Sequence, residues 1–361
     1  MYLARGDWYF MVCALVMGVF MAVPYIYAAQ QDNYRVAEVW KSRRVHGAYL
    51  TDLLCILVFG GAWAGCWFIS SRIFWGFLIS LFFCIAEVAL YVVEDAPKKK
   101  KPLRYTKRTV RALIATGLVS AAAVTAAIAL INAHVEDEYL RYPVFFGLSL
   151  VFPLIFSVTL AVVNVFERMN NRRYERRARR TLSASRDLIR IGITGSYGKT
   201  SVKNALAAML SVRFNVLATP ESYNTPMGIA KTARELTEAH DVFIAEMGAR
   251  RKGDIGRLMR IVRPSHTVLT GVNDQHLGTF GSREAIMREK LKALDVRAED
   301  GACVVNDRLA DVPRVAEDKY GNIVLAGGDA RSRVHYSDVA VCADGSVFTL
   351  WFYGTPIECT T

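Results

Sequence analysis

The sequence predicts an α-helical membrane domain of about five transmembrane helices, followed by an α/β phosphate-loop (P-loop) domain with a mainly parallel sheet and a terminal β-hairpin. Three observations lead there. Apolar segments of membrane-spanning length crowd the first 167 residues; an apolar strand turns through glycines into a helix between Leu188 and Thr200; and strands and helices alternate from that point on.

The overall composition, 53% hydrophobic with a net charge of +12, averages two unlike halves. Residues 1–167 hold five apolar stretches, near 8–28, 48–70, 73–93, 110–133 and 143–166. Each is close to the roughly 20 residues that cross a bilayer. A cleaved signal peptide would account for the first stretch alone, but four more follow and no small-residue cleavage site stands out. Buried soluble helices are the other reading. Runs of this length with only Asp52 and Glu87 as acids near a span interior argue against it.

Charge sets the orientation. Lys41, Arg43 and Arg44 lie between the first two spans, Lys98 to Lys101 with Arg104, Lys107 and Arg108 between the third and fourth, and Arg168 to Arg180 after the fifth. Basic loops stay on the cytoplasmic side. The alternate loops agree, Ser70-Ser71-Arg72 being short and the next carrying Glu136, Asp137 and Glu138. The expected protein is multi-pass in the plasma membrane, with its N-terminus outside and residues 168 onward in the cytoplasm. The basic surplus is then explained by orientation and by anionic lipid headgroups of the bilayer. Nucleic acid is not an expected partner, because no aromatic residues interleave these charges. Of the seven cysteines, Cys13, Cys55, Cys66 and Cys84 fall in spans, and no pair has zinc-site or redox-motif spacing.

Residues 168–187 read as a basic cytoplasmic linker, and 188–361 as the α/β domain. Its expected order is strand Leu188–Thr194, helix Lys199–Val212, strand Asn215–Thr219, helix Thr225–Thr237, strand Asp241–Glu246, helix Gly253–Ile261 and strand His266–Gly271. Helix Ser282–Leu294 and strands Ala302–Asn306 and Asn322–Ala326 come next. The last segment, Val334 to Ile357, alternates around Asp344-Gly345 and reads as a hairpin.

Thr194-Gly195-Ser196-Tyr197-Gly198-Lys199-Thr200-Ser201 carries the chemistry. A strand that turns through glycines into a helix aims backbone N–H groups and a lysine at one spot, which is how phosphate is held. The loop fits the short GxxGK[ST] form rather than the full GxxxxGK[ST] spacing, since position 193 is isoleucine. In Val242 to Ala249 an apolar strand ends in Glu246, where a carboxylate can hold a metal or simply cap a strand end. Val272-Asn273-Asp274-Gln275-His276 places a histidine on a loop at the same edge, as a ligand or as a structural residue.

Together, TGSYGKT, Asn224 in PESYNTPMG, EMGARRKGDI, NDQHLGTFGS, Lys290 in MREKLKAL, and Val305-Asn306-Asp307 resemble the central ATP-binding domain of the Mur ligase family. Within that family, Glu246 to Ala249 with Gly253-Asp254-Ile255, and Phe280 to Glu284, look most like the branch that adds D-alanyl-D-alanine to UDP-N-acetylmuramoyl-tripeptide. The resemblance implies ATP and Mg2+ as cofactors and an ATP-dependent amide-forming ligase, which phosphorylates a carboxylate and lets an amine displace the phosphate. It implies that Gly195 through Ser201, with Lys199, hold phosphates, and that Thr200 and Glu246 bind Mg2+. Asn224 would lie near the phosphates and Asn306 near adenine. It further implies His276 at a second Mg2+ and Lys290 as a lysine that is carbamylated into a metal ligand, so Lys199, His276 and Lys290 are the catalytic candidates. Spacing alone leaves Lys290 an ordinary helix-surface lysine, Asn306-Asp307 a turn and Asn224 a helix cap.

The expected substrates are a cell-wall precursor, UDP-linked or lipid-linked, and an amino acid or dipeptide. Family relatives carry an N-terminal domain that grips the UDP-sugar and a C-terminal domain that positions the amine. Twenty linker residues leave no room for the first, and the chain stops at Thr361 before the second. The expectation is therefore weak ligation by this chain alone and a need for a C-terminal domain or partner chain. An ATP-binding membrane protein whose nucleotide domain is regulatory or scaffolding is the alternative. A transport ATPase is disfavoured by the loop spacing and by the lack of a signature motif.

Overall fold

In the computed structural model, residues 7–31, 34–41, 43–66, 72–94, 103–134, 143–185, 187–221, 223–295, 301–316, 323–343 and 345–360 are described. They form two compact units, Met1–Met169 and Asn170–Thr361. The basic run Lys98 to Lys101, the loop residues Ser70 and Ser71, and the acidic run Glu136 to Glu138 lie outside the described residues.

The first unit is helical: α1 (Asp7–Gln31), α2 (Val36–Lys41), α3 (Arg43–Cys66), α4 (Arg72–Glu94), α5 (Lys107–His134) and α6 (Val144–Ala184), the last continuing into the second unit. Among the described residues three stretches are long and apolar enough to cross a membrane: Phe10–Gln31, Lys107–His134 and Phe146–Ala184. The α3 and α4 helices carry shorter apolar stretches, Leu53–Ala62 and Phe74–Ala86. Small residues let α1 and α5 approach closely. A Cβ on Gly18 would stand 2.6 Å from the Ser120 Cβ, and one on Gly117 would stand 2.7 Å from Val19 Cγ2. Aromatic edges fill the remaining core, with Tyr25 centred 5.5 Å from Phe152 and Phe83 centred 5.0 Å from Phe146.

The second unit is built on one nine-stranded sheet of order β2-β3-β1-β4-β5-β6-β7-β8-β9. In chain order it runs β1 (Ile189–Thr194), α7 (Lys199–Leu210), β2 (Val216–Ala218), α8 (Pro226–Thr232), β3 (Val242–Met247), α9 (Asp254–Val262) and β4 (His266–Leu269). It continues through α10 (Leu277–Phe280), α11 (Arg283–Lys290), β5 (Cys303–Asn306), α12 (Pro313–Ala316), β6 (Ile323–Gly327), β7 (Val334–Cys342), β8 (Gly345–Phe352) and β9 (Thr355–Thr360). Strands β1 to β7 pair in parallel, and β7, β8 and β9 are antiparallel.

The central strands are rich in apolar residues because helices cover both faces; all six residues of β3, Glu246 included, are buried. Helix starts follow the capping residues. Thr225 Oγ1 accepts the Gly228 N–H at 3.2 Å ahead of Pro226, and Ser282 Oγ accepts the Ala285 N–H at 3.2 Å.

Three elements depart from the sequence expectation. The helix expected over Thr225–Thr237 ends at Thr232. The one expected over Ser282–Leu294 is α11, which then tightens into a 3-10 turn at Leu291–Leu294. The terminal hairpin is a three-stranded meander: Tyr353 (φ 50°) and Gly354 (φ 84°) turn the chain a second time, into β9. Two successive positive φ values are the signature of a tight hairpin turn. Asp344, at the first turn, lies outside the described residues.

Candidate functional site

Strand β1 is the switch point of the sheet, with β3 on one side and β4 on the other. The carboxyl ends of these parallel strands open the crevice where such sheets take ligands. Three of the singled-out segments leave strands there: the glycine loop after Thr194, Glu246 near the end of β3 and Asn306 at the end of β5.

The loop is pinned to the segment after β4. Ser196 N–H donates to the Gly271 carbonyl at 2.8 Å, Asn273 N–H donates to Ser196 Oγ at 3.1 Å, and Thr270 N–H donates to the Thr194 carbonyl at 2.9 Å. Gly195 has φ 153°, and a Cβ there would sit 2.0 Å from Thr270 Oγ1. Gly198, at φ 75°, is the N-cap of α7, so the loop feeds directly into a helix N-terminus. Tyr197 is partly exposed over Gly271, and Ser201 opens the exposed face of α7.

Two lysines meet inside the loop. Lys199 Nζ donates to the Gly195 carbonyl at 2.9 Å and to the Ser196 carbonyl at 3.4 Å; Lys290 Nζ donates to the same Gly195 carbonyl at 3.0 Å. Lys290 is 3% exposed, on the last turn of α11. Burial, and then the positive charge of Lys199, push its amine down to about 8, against an opposing pull from Glu289 and Asp254. Burial also lowers Lys199, opposed by Glu246.

Glu246, 1% exposed, is the anionic centre. Thr200 Oγ1 donates to its Oε2 at 2.8 Å, Asn224 Nδ2 donates to its Oε1 at 3.0 Å, and Lys203 Nζ lies 3.7 Å from Oε2. Lys203, itself 2% exposed, also donates to the Glu221 carbonyl. Among the described residues no group of three or more His, Cys, Asp or Glu side chains could hold a metal. The adjacent Glu246 carboxylate and Thr200 hydroxyl are nevertheless the hard oxygen pair that suits Mg2+ alongside phosphate oxygens.

His276 sits at φ 69° on the exposed loop before α10, and its imidazole has no hydrogen-bond partner among the described residues. Partial burial lowers its pKa, followed by the positive charges of Arg250, Lys290 and Lys199. It thus faces Lys199 and Lys290, the two cations that meet in the loop. Asn306 is not brought into contact with these groups. Its Oδ1 accepts the Arg308 N–H at 3.1 Å and caps the 3-10 turn at Asp307–Leu309.

Two residues of this arrangement went unsingled in the sequence. Lys203 reads there as one more polar position on a helix. Glu289, 1% exposed, accepts the Gly253 and Ile255 N–H groups, each at 2.8 Å, and the Lys292 ammonium at 2.6 Å. Burial would raise its pKa, but the Gly253 amide, the Lys292 ammonium and the Ile255 amide together hold it low. It ties the start of α9 to the turn that carries Lys290, and neither neighbour in sequence hints at that.

The profile of the Mur ligase middle domain matches residues 193–361. The UDP-N-acetylmuramoyl-tripeptide--D-alanyl-D-alanine ligase of Mycobacterium leprae (strain TN) is 43% identical over 126 residues, 35% of this chain and 24% of that protein. The ligase of the same name from Treponema pallidum (strain Nichols) is 36% identical over 143 residues, 38% of this chain and 30% of that one. A crystal structure of MurF from Acinetobacter baumannii aligns with a TM-score of 0.49 at 23% identity, covering 53% of this chain and 42% of the other. The chain spans about a third or less of the length of these two ligases.

Proposed function

Starting from residues 193–361 as a Mur ligase middle domain, we infer that the chain is a membrane-anchored, ATP-dependent amide-forming ligase that activates the carboxylate of a cell-wall precursor. The observation that carries this reading is the pairing of a two-lysine phosphate loop with the Thr200–Glu246 couple, 2.8 Å apart, at the switch point of the sheet.

The chemistry needs a γ-phosphoryl group held in line with a carboxylate, two anions that repel each other. Lys199 and the loop from Gly195 to Ser201, through amides other than that of Ser196, which is held by Gly271, bind the phosphates, and Lys199 leaves its Gly195 and Ser196 carbonyl partners to do so. Thr200 and Glu246 hold Mg2+, with Asn224 and Lys203 fixing the carboxylate. Held by the Thr200 and Glu246 oxygens, Mg2+ would supply Lewis-acid neutralisation of the negative charge on the reacting phosphates. The depressed Lys290 amine is neutral often enough near pH 8 for its nitrogen to attack carbon dioxide; one proton leaves when the ammonium becomes the free amine and a second when the C–N bond forms, so that a cation becomes a carbamate anion. Asn306 reaches adenine once it leaves its turn.

The proposed amine is an amino acid or a dipeptide such as D-alanyl-D-alanine, in line with the names of the matched relatives. The proposed acceptor is a UDP-linked or lipid-linked precursor. Anchoring is supported by the three apolar stretches of spanning length and by outward apolar side chains such as Leu54, Leu57, Leu118, Leu130 and Leu154, all more than half exposed.

The test is ADP release by the purified full chain, supplied with any C-terminal part its gene encodes. Release should require both an acceptor carboxylate and an amine, and Lys199→Ala should abolish it without loss of folding. ATP binding with no release under either substrate would instead mark a regulatory or scaffolding domain.

A further inference from the structure

A second cationic feature lies away from the phosphate loop. A cavity of about 810 Å3 opens beside α9 and the amino-terminal ends of β1 and β4. Its lining includes Arg190, Arg260, Arg263 and Lys292, with Asp295 as the carboxylate among the lining residues, and Met259 on its apolar side. None of Lys199, Thr200, Glu246, His276 or Lys290 reaches it.

The cations are positioned by the fold. Arg190 Nε donates to the Arg263 carbonyl at 2.9 Å and its Nη1 to the Leu182 carbonyl at 3.1 Å, so its guanidinium is locked against backbone. Arg263 closes α9 in the left-handed conformation, φ 48°, which turns it back toward Arg190. Arg260 lies over the bare face of Gly256, with Nη1 3.6 Å from where a Cβ would be. Arg260 and Arg263 are exposed, and neither side chain has a carboxylate partner among the described residues. Lys292 is matched by Glu289 at 2.6 Å. The charge imbalance is felt within the cavity: burial, and then the charge of Arg263, lower the Arg190 guanidinium with no acid opposing them. One guanidinium locked against backbone and two more without a carboxylate partner among the described residues, against the single lining carboxylate of Asp295, leave a cavity of small-molecule size suited to phosphate oxygens.

We propose that this cavity is a second anion site, taking the phosphate group of an organic phosphate or of an anionic phospholipid headgroup. It is independent of the ligase reading. The Arg172 to Arg180 stretch of α6 belongs to the same unit and adds positive charge ahead of Leu182, as a headgroup site would use.

The test uses the full chain in uncharged detergent, titrated calorimetrically with dihexanoyl phosphatidylglycerol and, separately, with glycerol 3-phosphate. The comparison is with Arg260→Gln/Arg263→Asn, asparagine being tolerated at positive φ. Arg260→Gln alone serves if the double variant unfolds on thermal scanning. Binding of the lipid alone, weakened tenfold or more by the variant, assigns a headgroup site. Binding of both, weakened equally, assigns a soluble phosphate site. Binding of neither, or binding that the variants leave unchanged, overturns the proposal.

Discussion

The ammonium groups of Lys199 and Lys290, 91 positions apart in sequence, donate to one oxygen, the Gly195 carbonyl, at 2.9 and 3.0 Å. Two like charges share an acceptor in a partly buried loop, and Glu246, the acid that opposes the shift of Lys199, is already engaged by Thr200, Asn224 and Lys203. The loop therefore holds excess positive charge that a polyphosphate would neutralise.

The first consequence is a pH dependence of stability. The Lys290 pKa in the folded state is about 8, against an ordinary 10.5. Below about pH 8 both folded and unfolded chains carry the proton. Between about 8 and 10.5 the unfolded chain binds more protons, so this residue makes stability rise with pH, by up to about 3 kcal/mol. Thermal unfolding of the full chain from pH 7.5 to 10 should show this rise, and Lys290→Met should remove it. Equal pH profiles for the two proteins would contradict the assignment.

Gly195→Ala tests the loop geometry. The new methyl group would stand 2.0 Å from Thr270 Oγ1 at a φ of 153° that side chains avoid. A destabilisation of about 1–3 kcal/mol is expected, together with loss of ATP binding. Adding Thr270→Ala relieves the closest contact but not the backbone strain, so thermal stability should recover only in part.

Glu246 and Lys203 form a buried pair that should be coupled. Glu246→Gln leaves the Lys203 ammonium buried without its anion and should destabilise the fold by about 3–5 kcal/mol. Lys203→Met in the same chain removes the stranded charge and should restore part of that loss. Strict additivity of the two single substitutions in unfolding measurements would show that they act separately.

The alternating strands and helices were legible because the central strands are short, mainly apolar runs and the turns and helix starts carry glycine or a capping residue, as at Thr194-Gly195 and Thr225-Pro226. The second reversal of the meander was written in Tyr353-Gly354, yet six residues of mixed polarity, Thr355 to Thr360, carry little alternation to announce a strand. Lys203 and Glu289 were illegible for a different reason. A lysine in a polar helical stretch reads as solvated, and only the fold brings its ammonium to 3.7 Å from an acid 43 residues away. Asn306 shows the reverse: its place at a strand end was readable, and its side chain is spent on its own turn.

The central claim is that the loop around Lys199 and Lys290 is a polyphosphate site. Calorimetric titration of the full chain with ATP and Mg2+ at pH 7.5, wild type against Lys199→Ala, tests it most directly. The account predicts saturable binding by the wild type, weakened at least about 100-fold in a variant that still unfolds at the same temperature. No binding by the wild type, or equal binding by the variant, would contradict it.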